Sequence, residues 1–119
     1  MLSFPPAVQI WLATAATDLR KSFDTLAELV RQHLRHDPLS GHVFVFRNQR
    51  SDRVKLLYGD EDGFVIVSKR LEQGAFHFPA AVAGQAGVTL RAAELAMLLD
   101  GVDWQHARRA KRYQRPAPA

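Results

Sequence analysis

The spacing of apolar positions changes period along the 119 residues, and each change predicts an element. After the Pro5-Pro6 break, Val8, Ile10 and Leu12 alternate with Gln9, Trp11 and Ala13, the period of two expected of a short strand. Leu19, Phe23, Leu26, Val30 and Leu34 then recur at three- and four-residue steps. That spacing predicts an amphipathic helix with Glu28, Arg31 and Gln32 on its wet side. Thr17 and Ser22 are both candidate N-caps, and Asp37-Pro38 closes the helix because the residue before proline avoids helical torsions.

From Asp37 to Pro79 three apolar runs alternate with two turn-rich loops, the pattern of an antiparallel β-meander. Loops at Asn48–Asp52 and Gly59–Gly63 would set Arg47 opposite Arg53 and Tyr58 opposite Phe64. One face then collects His42, Phe44, Phe46, Val54, Leu56, Tyr58, Phe64, Ile66 and Ser68 as the core face. The other carries Val43, Val45, Leu57, Val65 and Val67, and changes to Arg47, Arg53, Lys55 and Lys69 towards the first loop, which adds Arg50. Opposed like charges cost stability in a sheet pair, so this corner is a candidate anion site. Cations at strand ends also discourage edge pairing, which is the competing explanation.

Beyond the turn Leu71–Gly74, Phe76–Phe78 is a candidate short strand and Ala80–Gly87 a loop rich in small residues. Thr89 is expected to cap a second helix, Arg91–Asp100, with Leu95, Leu98 and Leu99 buried, Gly101 as its stop, and Val102 and Trp104 packed beneath it. The expected fold class is α+β: a three- to four-stranded antiparallel meander with two helices on one face. It would form one domain over residues 1–107, followed by a disordered tail over 108–119.

The formal charge of +4 alters the picture only when divided along the chain. Residues 1–107 hold 11 Lys/Arg against 12 Asp/Glu, whereas Arg108, Arg109, Lys111, Arg112 and Arg115 stand in the last twelve residues without an acid. The body is neutral and the tail basic. Such a tail binds phosphates without sequence preference, or serves only solubility. Arg20 and Lys21 form a second basic pair, at a positive helix end if the helix begins at Thr17 and in a loop if it begins at Ser22.

Absence of cysteine removes disulfides and thiolate chemistry and suits a reducing compartment. No apolar stretch approaches the roughly 20 residues of a membrane span, and nothing basic precedes Arg20, so a signal peptide is not expected and the protein reads as cytoplasmic. Asp60-Glu61-Asp62 lies between two glycines, where Asp and Gly serve a hairpin tip better than a cation. His33 and His36 share a helical spacing but lack a third ligand, and Ser40, Ser51 and Ser68 lack a nucleophile-elbow context. No cofactor or metal is expected, and an enzyme is the weaker class. A metal-dependent nuclease using Asp60, Asp62 and Glu72 is the remote alternative.

Four phrases carry a more specific signal: TDLRKSFDTLAELV (17–30), DPLSGHVFVFRNQRSDRVKLLY (37–58), DGFVIVSKRLEQGAFHFP (62–79) and LRAAELAMLLDGVDW (90–104). Together they resemble the short TnpB accessory proteins of bacterial insertion sequences of the "sixty-six" family, which are distinct from the RNA-guided nucleases sharing that name. The resemblance implies a non-enzymatic factor encoded beside a separate DDE-type transposase and needed for efficient transposition. The matching positions are Asp18, Arg20 and Lys21; Phe46, Arg47, Asn48, Arg50, Asp52, Arg53, Lys55 and Tyr58; and Asp62, Gly63, Lys69, Arg70, Leu71, Glu72 and Gly74. Departures fall at Gly59, where relatives often carry an aromatic residue, at Glu61, where a basic or small one is usual, and at Phe78, where tryptophan is common.

The leading expectation is therefore an accessory protein that binds DNA, the transposon ends, together with the transposase of the same element. Arg47, Arg50, Arg53, Lys55 and Lys69 would contact phosphate, with Arg20 and Lys21 as a second contact and Arg108, Arg109, Lys111 and Arg112 adding salt-sensitive affinity. The alternative is an adaptor that binds the transposase through the apolar strip Val43, Val45, Leu57, Val65 and Val67 without touching DNA.

Overall fold

A computed structural model describes residues 4–80 and 83–102. Strand β1 (Ile10–Ala13) leads into helix α1 (Phe23–Leu29), which widens into a π-helical turn over Val30–Leu34. The chain then forms β2 (Val43–Arg47), β3 (Arg53–Asp60), β4 (Gly63–Arg70), β5 (Gly87–Leu90) and α2 (Ala92–Leu99). The class is α+β, but the sheet is mixed and five-stranded, in the order β4-β3-β2-β1-β5. The β1 and β2 strands are parallel, joined by the α1 crossover, and every other pair is antiparallel. A meander of three or four strands is therefore corrected: β2–β4 form one, and β1 and β5 extend it on the far side of β2.

Register is displaced by one residue from the sequence expectation in both hairpins. Arg47 pairs with Val54, and Tyr58 with Val65. In the second hairpin, pairing continues to Asp60 opposite Gly63, which leaves a two-residue tip of Glu61 and Asp62. In the first, Arg53 does not pair with Arg47 because its N–H is taken by the Asn48 side chain at 3.0 Å. A one-residue change moves one strand's side chains to the other face relative to its neighbour.

The consequence is a sheet with two apolar faces. On one, Phe44, Phe46 and Leu57 pack against Leu26, Ala27, Val30 and Leu34 of α1 and its π-turn, with Leu19 from the preceding segment. On the other, Ile10, Leu12, Val43, Val45, Val54 and Leu56 pack against Leu95 and Leu98 of α2, with Phe76. The two helices thus cover opposite faces, not one. Two apolar faces would otherwise leave one of them in water, and a helix on each resolves this. The continuous apolar run Val43–Phe46, fully buried along its length, is what a central strand covered on both sides requires.

Local features explain the remaining differences. Ser22 is the residue preceding α1, so Arg20 and Lys21 lie in the loop before the helix. Thr89 does not cap α2; it lies in β5 opposite Trp11, and Arg91 takes the capping position, its N–H held by the Glu94 carboxylate at 2.9 Å. At the other end of α2, Gly101 has φ +75° and donates to Leu98 O, while Val102 N–H reaches Met97 O. This is a Schellman stop that needs the left-handed torsion glycine supplies. Val102 is exposed, not packed beneath the helix, and Trp104 lies outside the described residues. Phe76–Phe78 forms no strand; Phe76 is instead a buried plug in the α2-side core, its N–H bonded to Ser51 O at 2.7 Å.

Candidate functional site

The β2–β3 loop, Asn48–Asp52, is organised by one amide side chain. Asn48 donates from Nδ2 to Asp52 Oδ1 at 2.6 Å and accepts Arg53 N–H at Oδ1, which bridges the loop across its base. Ser51 sits at φ +59° to close the turn, and its carbonyl and that of Asp52 accept Phe76 N–H and Leu71 N–H. These bonds fix the loop to the segment that follows β4.

A second segment, Ala16–Lys21, runs beside it. Thr17 N–H donates to Arg47 O at 2.8 Å, and Asp18 accepts both the backbone N–H and the guanidinium of Arg20. Lys55 crosses from β3 to donate its ammonium to Lys21 O at 3.0 Å. Between loop and segment lies a cleft of about 420 Å³, lined by Ala16, Thr17, Asp18, Leu19, Arg20, Asn48, Gln49, Arg50 and Arg53. Three arginines, Arg20, Arg50 and Arg53, therefore line one concavity.

The cations of the expected corner are sorted by this geometry. Arg50 and Arg53 are exposed and form no ion pair among the described residues. Arg20 joins them from the other wall, with Lys21 next to it in the exposed loop. Arg47 does not: it is half-buried, donates to Thr14 O at 3.0 Å and lies 5.7 Å from the centre of the Phe78 ring. Lys69 is on the α2 face and donates to Leu99 O, where a cation suits the exposed carbonyls of a helix end. Arg47 and Lys69 are thus each engaged by a backbone carbonyl, and the corner of five cations divides between two faces. The register instead sets Arg70, outside the expected set, opposite Arg53, with its own guanidinium paired to Glu72 at 2.9 Å. Arg108, Arg109, Lys111 and Arg112 lie outside the described residues.

Two carboxylates temper the cleft. Hydrogen bonds from the Arg20 guanidinium and then its backbone N–H hold Asp18 well below the usual carboxylate range. The Asn48 side chain, followed by the charges of Arg50 and Arg53, lowers Asp52. Both are ionised throughout the neutral range. A depressed carboxyl contributes stability above its unfolded value near 3.9 and loses that contribution as pH falls through the folded value. Denaturant midpoints should therefore be insensitive to these two groups from about pH 8 to 5 and fall below about pH 4. In a D18N/D52N variant that acid limb should be shallower; an unchanged limb would assign the acid loss to other carboxylates.

Other expected sites come apart. Among the described residues no group of three or more His, Asp or Glu is arranged to hold a metal ion. Asp60 and Asp62 lie at the β3–β4 hairpin end, whereas Glu72 follows the far end of the eight-residue β4, roughly 25 Å along at strand rise. The nuclease triad is not assembled. Val43, Val45 and Leu57 of the adaptor strip are completely buried and Val65 and Val67 are half-buried, so the five do not form one exposed strip. The centre of the His36 ring lies 4.4 Å from that of Trp11 and 5.9 Å from that of Phe44. Asn48, the organiser of the loop, had no role assigned from sequence, although its position beside a strand end in an Asn-x-x-x-Asp spacing was available as a turn signal.

Among the described residues, no helix is long and apolar enough to cross a membrane. The family model described as "IS66 Orf2 like protein" matches residues 8–109. Two proteins of Sinorhizobium fredii (strain NBRC 101917 / NGR234) are similar over most of their length. "Uncharacterized protein y4hO" is 38% identical over 106 residues, covering 89% of this chain and 90% of that protein. "Uncharacterized protein y4jC" is 36% identical over 109 residues, covering 92% and 91%. No solved structure matches significantly.

Proposed function

The chain belongs to the IS66 Orf2-like family of transposition-associated accessory proteins, and from that premise we propose that it binds the DNA backbone through the cleft of Arg20, Arg50 and Arg53. In this reading it acts on the transposon ends, beside the transposase of the same element, and performs no chemistry of its own. The observation that carries the proposal is a pair of arginines without an ion pair among the described residues, Arg50 on the hydrogen-bonded loop and Arg53 at the start of β3, lining one cleft with Arg20. Guanidinium is suited to phosphate because its planar fork donates two parallel hydrogen bonds.

Asp18 and Asp52 bear on the mode of binding. They offset part of the positive charge and give the cleft a fixed pattern of donors and acceptors, which favours a held strand over diffuse attraction. Lys21, next to Arg20 in the exposed loop, would add a second contact, and the basic stretch Arg108–Arg112 would add the salt-sensitive term. Phosphate contacts of this kind set position and affinity, while sequence would be read elsewhere or by the transposase.

Anisotropy titrations with a labelled duplex at several salt concentrations test the proposal. An R50A/R53A variant should bind about tenfold more weakly at moderate salt, and the slope of log affinity against log salt should lose about two units, one per lost contact. Full-length protein with Arg108, Arg109, Lys111 and Arg112 changed to alanine should also lose slope, independently of the cleft. Identical titrations for the wild type and R50A/R53A would remove the cleft from DNA binding.

A further inference from the structure

The two edges of the sheet are unequal. One edge, β5, has four residues and passes directly into α2, so it offers little to pair with. The other, β4, has eight residues and no proline. Its outward-facing backbone N–H and C=O groups have no partner among the described residues. Phe64, Val65, Ile66 and Val67 are all half-buried there, without an intervening charge, and Val65 belongs to neither core. A long, apolar, unblunted edge is a template for another strand. Edge protection by cations reaches only its last two residues, Lys69 and Arg70.

Charge along this edge is asymmetric in a useful way. The exposed acidic tip Asp60-Glu61-Asp62 stands at the start of β4 and the cations Lys69 and Arg70 at its end. Among the described residues, no member of the tip forms an ion pair. An antiparallel strand of the same sequence would present its basic end to this acidic tip and its acidic tip to this basic end. Like with like thus becomes opposite with opposite at both ends.

We propose that β4 is a self-association edge, on which a second copy of this chain pairs its own β4 antiparallel about a two-fold axis at Ile66. That register sets Val65 of each copy opposite Val67 of the other, Phe64 opposite Ser68, and Asp62 opposite Arg70. The pairing satisfies the free backbone groups and covers the half-exposed apolar stretch. It is isologous, as closed two-fold contacts are, so it ends at two copies. The two five-stranded sheets become one ten-stranded sheet, with the α1 faces and both cation clefts on the same side.

Sedimentation equilibrium or light scattering on the full chain across a concentration series tests this without DNA. The wild type should pass from the 13.4 kDa of one chain to twice that mass. D62R and R70D should each raise the dimer dissociation constant about tenfold, because symmetry repeats the altered pair twice. D62R/R70D restores opposite charges in the dimer and should recover wild-type association. The loss of the exposed Arg70–Glu72 pair in R70D should cost little stability, and circular dichroism separates unfolding from dissociation. A wild type that stays monomeric throughout the series, or a double variant as weak as the singles, would overturn the proposal.

Discussion

Val45→Asp is expected to abolish cooperative folding. Val45 is completely buried, in the centre of β2, between Leu12 on β1 and Leu56 on β3 and within the core beneath α2. The substitution forfeits about 1.5–3 kcal/mol of apolar burial and adds a carboxyl with no partner, worth several kcal/mol more even if it takes up a proton. A total of roughly 5 kcal/mol or more is comparable to the whole stability of a typical domain, about 5–15 kcal/mol. Circular dichroism melts should show no native transition, whereas V45A should melt cooperatively at a lower temperature. Native melting of V45D would mean that this face of the sheet is free, as the adaptor reading of the sequence requires.

Arg47→Ala should lower stability by about 2–4 kcal/mol and leave DNA affinity within about twofold. The stability term combines a charge-assisted hydrogen bond to Thr14 O, worth about 1.5–3 kcal/mol, with the contact to the Phe78 ring, worth about 0.5–1 kcal/mol. For about 100 residues this is a fall in melting temperature of roughly 8–20 °C. R50A/R53A should show the opposite profile, with weaker DNA binding and a nearly unchanged melt, because both side chains are exposed. The dissociation of the two effects is the strongest available test of which arginines fold the protein and which remain for a ligand. If R47A weakens DNA binding as much as R50A/R53A, the assignment of Arg47 to the fold is wrong.

These two predictions rest on geometry that the sequence carried only in part. Apolar spacing located α1, the strands of the meander and α2 to within a few residues, because 3.6- and two-residue periods follow from backbone geometry alone. The strand β5 was missed because Gly87-Val88-Thr89-Leu90 is too short to show alternation, and its pairing with β1 is a contact across more than seventy residues. Gly59 shows the same dependence: a Cβ there would come within 3.0 Å of Leu39 Cα, a contact visible only when the segment before β2 folds over β3.

The cation site divides along the same line. The sequence alone determined that the body is neutral, that its cations cluster around one loop, and that the chain resembles a family of transposition accessory proteins. The tertiary structure decided which cations share a surface. A shift of one residue in hairpin register, set by the Asn48 side chain and the two-residue tip at Glu61-Asp62, moved Arg47 and Lys69 to the α2 face and left Arg50 and Arg53 beside Arg20. Composition and period report how much charge and apolar surface a chain has. Register and long-range pairing, which depend on contacts between distant residues, decide where each side chain faces.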